Sequence, residues 1–108
     1  MKRTGLSKEC KDLEIIIENL ASGKEQYEPG NPRYSLEEAL EYLREFLQQL
    51  KELDIQITEQ GNTPELLKKV HDKYTELWLF QVYFTVESLP RVIGGLLYYP
   101  EEKPPYEE

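Results

Sequence analysis

The sequence predicts an all-α fold, a small antiparallel bundle of three to four helices. Apolar residues recur at helical spacing in three successive segments of the 108-residue chain. Ser35-Leu36-Glu37-Glu38 is a capping box, in which the serine oxygen and the glutamate each satisfy a free backbone amide. The short Gly61-Asn62 connection favours antiparallel packing of the helices on either side of it.

The first helix is predicted from Ser7 to Ser22. Ser7 is the expected N-cap, and Gly23 stands where a left-handed residue commonly ends a helix. Residues 23–34 form a predicted connector, because Pro29-Gly30 and Asn31-Pro32 are turn pairs.

The second helix is predicted from Leu36 to about Gln60, some 25 residues, ending at Gly61-Asn62. Its apolar seam includes Leu36, Leu40, Leu43, Leu47 and Leu50. Residues 53–58 also alternate with period two, which is typical of a strand.

The third helix begins at Thr63-Pro64, with threonine as the expected N-cap and proline in the first turn. It leads into Leu77–Val86, LWLFQVYFTV, whose pattern is compatible with either a helix or a strand. Continuous helix to about Ser88 is favoured, because no glycine or proline interrupts the run. The alternative is an α+β fold with a strand at about 78–87. A short fourth element follows Pro90, to about Tyr98.

The apolar run needs cover on more than one side. Each large side chain left in water forgoes roughly 1.5–3 kcal/mol. Helix 1 and the element around Leu96–Tyr99 are expected to cover Trp78, Phe80 and Phe84. If they are too short, a second copy or a partner would complete the cover, through an apolar interface of Trp78, Phe80, Tyr83 and Phe84.

The chain is divided into a bundle domain, residues 1–99, and a proline- and glutamate-rich tail, residues 100–108, expected to be extended or disordered. A single cysteine cannot form an internal disulfide, which fits a reducing compartment. No apolar run approaches the ~20 residues that span a bilayer. A cytoplasmic location with no membrane association is therefore expected.

The net charge of −8 is concentrated in residues 25–63, which hold nine acidic and three basic residues. Binding of DNA or RNA normally needs clustered lysine and arginine, so nucleic acid is not an expected partner.

No catalytic or cofactor signature is present. His71 and Cys10, the single histidine and cysteine, lie on different predicted helices, and nothing marks them as a nucleophile and its base. Gly94-Gly95 lacks the pattern of a phosphate-binding loop. The sequence therefore predicts a protein that is not an enzyme and binds no cofactor or metal.

Carboxylates form a stripe along the second helix. Glu38, Glu45, Glu52 and Glu59 are spaced by seven residues, and Glu41 widens the stripe near its start. Such a stripe is either an ordinary solvated face or a docking surface for a basic protein, where it raises the association rate and selectivity.

Tyr98, Tyr99 and Tyr106 lie in an acidic, proline-containing context. Tyrosines are good interface anchors, and the alternative is that Tyr98 and Tyr99 pack back onto the bundle. The segment Leu96–Pro100, LLYYP, resembles the Tyr-Tyr-Pro segment of small acidic immunity proteins that inhibit colicin nucleases. The resemblance implies toxin contacts for the two tyrosines. It covers five residues, and the His-Pro-x-Gly segment of that family is missing.

Together these features predict a non-enzymatic, acidic helical protein that binds another protein with a basic surface. It would act as an inhibitor, an antitoxin-like or anti-defence factor, or an adaptor. The alternative is a structural subunit of a larger assembly or a homodimer, with residues 77–86 as an obligate interface.

Overall fold

Four helices dominate the described part of the chain and confirm the predicted all-α bundle. The computed structural model describes residues 2–29 and 34–101. Contacts run from the first helix to the second, third and fourth in turn and back to the first, which closes the bundle around one core. The elements in chain order are α1 (Ser7–Ser22), β1 (Tyr27–Pro29), α2 (Leu36–Gln60), α3 (Pro64–Tyr83), β2 (Phe84–Val86) and α4 (Leu89–Leu97).

The α1 boundaries match the prediction, but the N-cap is Leu6 rather than Ser7. Leu6 has no capping side chain of its own. Its backbone amide instead donates to Asp54 Oδ1 of α2 over 2.5 Å. At the other end Gly23 has φ of 80°, the predicted left-handed cap.

The α2–α3 hairpin also follows the prediction. Ser35 and Glu38 form the complete capping box, and Thr63 accepts from the Leu66 amide at the start of α3. Residues 53–58 are helical, so the strand-like alternation there is not used. Leu40, Leu43, Leu50 and Leu53 all turn into the core.

The apolar run divides into helix and strand. The favoured prediction of helix to about Ser88 is wrong beyond Tyr83, and the alternative strand is wrong before Phe84. The helix ends there because β2 pairs antiparallel with β1, Tyr27 opposite Val86. Phe84 and Val86 are fully buried and Thr85 between them is exposed. The predicted connector therefore contains a short strand that the sequence did not indicate.

Hydrogen bonds hold the N-terminal segment between the α2–α3 turn and the residues that follow α4. Arg3 donates its backbone amide to Pro100 O over 2.6 Å, and Asn62 donates to Arg3 O over 2.8 Å. The Arg3 side chain forms a 2.7 Å ion pair with Glu9, whose side chain is only 3% exposed. Arg3 therefore ties the segment before α1 to the α2–α3 turn, to the residues after α4 and to α1 itself.

The predicted tail starts as part of this arrangement, because Lys2 and Glu101 form an antiparallel bridge. Residues 102–108, including Tyr106, and the turn pairs across residues 30–33 lie outside the described residues. Among the helices that are described, none has the length and apolar character needed to cross a membrane.

Candidate functional site

A groove of about 510 Å³ lies between the first half of α2 and the second half of α3. Both helices line it with residues at i, i+3, i+4 and i+7, the spacing that gives one helix face over two turns. In the antiparallel hairpin these two faces stand side by side. We call this site the acidic groove; its lining residues are Tyr34, Glu38, Ala39, Glu41, Tyr42, Glu45, Glu76, Leu79, Phe80 and Tyr83.

The floor of the acidic groove is aromatic. The rings of Tyr42 and Phe80 stack with centroids 4.5 Å apart and planes 4° from parallel. The Tyr42 hydroxyl donates to Glu76 Oε1 over 3.1 Å. Burial, together with the charge and hydrogen bond of Glu76, raises the pKa of Tyr42 well above its usual range. Tyr42 therefore stays a protonated donor that ties α2 to α3.

The rim on the α2 side is acidic. Glu38 is held by the capping box, where its carboxylate accepts from the Ser35 amide. Glu41 and Glu45 are exposed and take part in none of the ion pairs found within residues 2–29 and 34–101. Glu76, in contrast, is paired with Lys73 at 3.0 Å. Glu41 and Glu45 thus differ from Glu38 and Glu76, whose carboxylates are held by neighbouring residues.

The rim on the α3 side is apolar at Leu79 and Tyr83. We call Trp78, Leu79, Val82 and Tyr83 the α3 apolar face; they are 50%, 48%, 54% and 37% exposed, and Trp78 and Val82 lie beyond the residues that line the groove. The Tyr34 ring meets Tyr83 edge-on at 6.0 Å and extends this surface. Trp78 was expected to be covered by α1 and the Leu96–Tyr99 element, and that prediction is wrong. On α3 only the stripe through Leu77 and Phe80 faces the core, and Trp78 points away from it.

The predicted apolar interface is thus only partly at the surface. Phe80 is 8% exposed and Phe84 is fully buried. Phe84 stacks on Tyr27 with ring centroids 4.4 Å apart. Trp78 and Tyr83 remain available for contact, whereas Phe80 contributes only to the groove floor.

The acidic stripe is longer than the groove. Glu38, Glu41 and Glu45 line the acidic groove itself. Glu52 lies further along, in a shallower depression of mixed charge with Lys69, Asp72 and Lys73. Glu59 is exposed near the end of α2 and lines neither of these two depressions. The stripe therefore borders the acidic groove at one end only.

Tyr99 is a structural residue. It is 9% exposed; its hydroxyl accepts from the Gly5 amide over 2.9 Å and donates to Asn62 Oδ1 over 2.6 Å. Burial raises its pKa. Its predicted role as an anchor for a partner is corrected, because the ring is packed onto the bundle beneath Arg3. Tyr98 is half-buried, and Tyr106 lies outside the described residues.

The candidate nucleophile and base, Cys10 and His71, lie on different helices. Cys10 is buried on α1; burial, reinforced by Asp54 and Glu9, raises the pKa of its thiol to about 12. His71 is exposed on α3 and contacts the ring of Tyr74. Within the described ranges no three His, Cys, Asp or Glu side chains gather to hold a metal ion.

Comparisons with protein-family profiles, with curated proteins and with solved structures found no match to this chain. Sequence reasoning identified the carboxylates on one wall of the groove but missed Tyr34, Tyr42 and Leu79. The sequence did contain a signal for these residues. Positions i, i+3, i+4 and i+7 form one helix face within residues 38–45 and again within residues 76–83, and a short turn joins the two helices.

Proposed function

We propose that this protein works without catalysis, by binding another protein through the acidic groove and the α3 apolar face. The partner surface is basic and carries apolar side chains beside its cations. One observation carries the proposal: Glu41 and Glu45, which form no ion pair within the described residues, and the half-exposed Leu79 and Tyr83 meet along a single groove.

The two walls have different physical roles. The carboxylates attract a basic surface over long range and raise the association rate, an effect that salt weakens. Trp78, Leu79 and Tyr83 supply the short-range binding energy, since buried aromatic and aliphatic side chains dominate interface stability. An exposed face of this kind would otherwise be costly on a small domain.

A small acidic chain that covers a basic surface suits an inhibitor, an antitoxin-like or anti-defence factor, or an adaptor. The net charge of −8 supports a protein partner rather than nucleic acid. The single, buried thiol is compatible with the reducing cytoplasm as the place of action.

The test is affinity capture from source-cell lysate with the full chain as bait. The groove variant, Glu38→Gln/Glu41→Gln/Glu45→Gln, removes three charges while glutamine at position 38 preserves the capping box. The distant variant, Glu18→Gln/Glu59→Gln/Glu87→Gln, removes the same charge from exposed positions outside the groove.

The proposal predicts a stoichiometric partner that the wild type and the distant variant retain and the groove variant loses. Salt at about 0.5 M should also release it, since screening at that strength acts within a few ångströms. Equal capture by both variants would contradict the acidic groove as the binding site.

A second function is supported by the α3 apolar face alone. Its four residues would suit an obligate interface in a homodimer or a larger assembly. That function predicts self-association that persists in high salt and is abolished by Val82→Glu. Light scattering on the purified chain distinguishes the two functions, because the acidic-groove proposal predicts a monomer.

A further inference from the structure

We infer that the occupant of the acidic groove is a basic amphipathic helix of the partner protein. This inference rests on the proposed function and adds the secondary structure and polarity of the bound segment. Three features of the groove support it: its shape, the chemistry of its two walls, and backbone groups that are already hydrogen-bonded within helices.

The shape is that of a helix-binding site. On each wall the lining residues span seven positions, about 10.5 Å or two helical turns. The walls belong to two antiparallel helices, so their side-chain ridges leave a channel into which a third helix can pack. The shallower depression beside Glu52 and Lys73 continues the channel along the same hairpin. A longer helix could therefore follow the same two helices from one depression into the next.

The chemistry of the walls differs from one side to the other. Glu38, Glu41 and Glu45 make the α2 wall acidic, whereas Leu79 and Tyr83 make the α3 wall apolar. A complementary segment needs cations on one flank and apolar side chains on the adjacent flank. A helix provides this arrangement when lysine or arginine repeats at i, i+3 or i+4, and i+7 beside an apolar seam.

The backbone of the groove gives an extended strand nothing to pair with. All but one of the lining residues lie within α2 or α3, whose interior amides and carbonyls already bond along the helix. Strand addition needs a sheet edge with free backbone groups. Side-chain packing is therefore the mode of recognition that this site offers.

Helix formation by the bound segment is the readout that separates this inference from the binding of any basic segment. Trp78 is not one of the residues that line the groove, so its emission does not report occupancy. Binding is followed instead by isothermal titration calorimetry, and the secondary structure of the bound peptide is followed by circular dichroism.

The probe is a synthetic peptide of about 18 residues made of leucine, alanine and lysine, with leucines along one face and lysines on one flank. A control peptide has the same sequence except that two central alanines are replaced by proline, which prevents a continuous helix. Both are titrated into the full-length wild type, into Glu41→Gln/Glu45→Gln and into Glu18→Gln/Glu59→Gln.

The inference predicts that the helical peptide binds the wild type in calorimetry and gains circular-dichroism helix signal on binding. Glu41→Gln/Glu45→Gln should weaken binding at least about tenfold, and Glu18→Gln/Glu59→Gln by less than about twofold. The proline peptide should bind at least about tenfold more weakly.

Two results would overturn the inference, and they bear differently on the proposed function. If both peptides bind equally and both depend on Glu41 and Glu45, the groove accepts basic segments but does not require a helix, and the proposed function stands. If neither peptide binds, or if Glu41→Gln/Glu45→Gln binds the helical peptide as tightly as the wild type does, the occupant is not a basic helix. The affinity-capture experiment, which uses neither peptide, then tests the proposed function independently.

Discussion

The Tyr42 hydroxyl donates to Glu76 Oε1 over 3.1 Å, and this bond joins the two helices that form the acidic groove. Tyr42 also stacks on Phe80, so a single side chain fixes both the spacing of α2 and α3 and the aromatic floor between them. The site is consequently built on rigid helical elements, and its geometry can be tested through stability as well as through binding.

Tyr42→Phe should keep the stacked ring and lose only the hydrogen bond to Glu76. We expect the free energy of unfolding to fall by about 1 kcal/mol, the usual net value of such a bond. Urea denaturation followed by circular dichroism measures it. A loss of more than about 3 kcal/mol would contradict this assignment, because a single hydrogen bond does not account for so large a change in the free energy of unfolding.

Gly95→Ala should destabilise the protein although alanine favours helices. A Cβ at Gly95 would collide with the carboxylate of buried Glu9, so the ion pair with Arg3 must move. We expect a loss of about 1–3 kcal/mol in thermal or urea denaturation.

Gly94→Ala is the matched control. It lies in the same helix, and nothing stands within 4 Å of an added Cβ. It should gain up to about 1 kcal/mol through helix propensity. Equal effects of the two substitutions would contradict the close approach of α4 to Glu9.

Arg3→Met should leave the Glu9 carboxylate buried without its partner. Breaking a buried pair from one side costs about 3–5 kcal/mol, whereas replacing both charges by apolar groups is often neutral. Arg3→Met/Glu9→Leu should therefore recover most of the stability lost in the single variant. A double variant as unstable as Arg3→Met would show that the arginine acts mainly through its bonds to Gly95 and Tyr99.

Cys10 should resist thiol reagents in the folded state. Burial and nearby carboxylates raise its pKa from 9.0 to about 12, so little thiolate forms at pH 8. Because the folded pKa is the higher, its stabilising contribution is present below pH 9 and is lost as pH rises towards 12.

Reaction with Ellman's reagent at pH 8, with and without urea, measures this protection. The thiol should react promptly only in urea. Prompt reaction in the folded state would contradict the burial of α1 against α2.

Local chemistry made much of the fold predictable from sequence. Ser35 with Glu38, Thr63 with Pro64, and Gly23 each define a helix end through groups only a few residues away. The failures depend on distant residues. Leu6 is capped by Asp54, 48 positions along the chain, and the helix stops at Tyr83 because β2 pairs with Tyr27 and Glu28.

For the candidate site, too, local spacing was predictable from the sequence and contacts between distant residues were not. Helical periodicity alone places Glu38, Glu41 and Glu45 on one face of α2. Only the packing of α3 against α2 decides that Phe80 becomes the floor and that Trp78 faces water. The same packing sets where along α2 the groove ends, and Glu59 lies beyond that point. The sequence left open whether Tyr99 packs onto the bundle or anchors a partner, because its hydrogen-bond partners, Gly5 and Asn62, are distant from it in sequence.

The most direct test of the central claim is carbodiimide-driven amidation of carboxylates, read out by mass spectrometry, on the free protein and on its complex with the captured partner. The acidic-groove account predicts that Glu41 and Glu45 react in the free protein and are protected in the complex. Glu18, Glu59 and Glu87, all exposed, should react equally in both. Unchanged labelling of Glu41 and Glu45, with protection elsewhere, would contradict it.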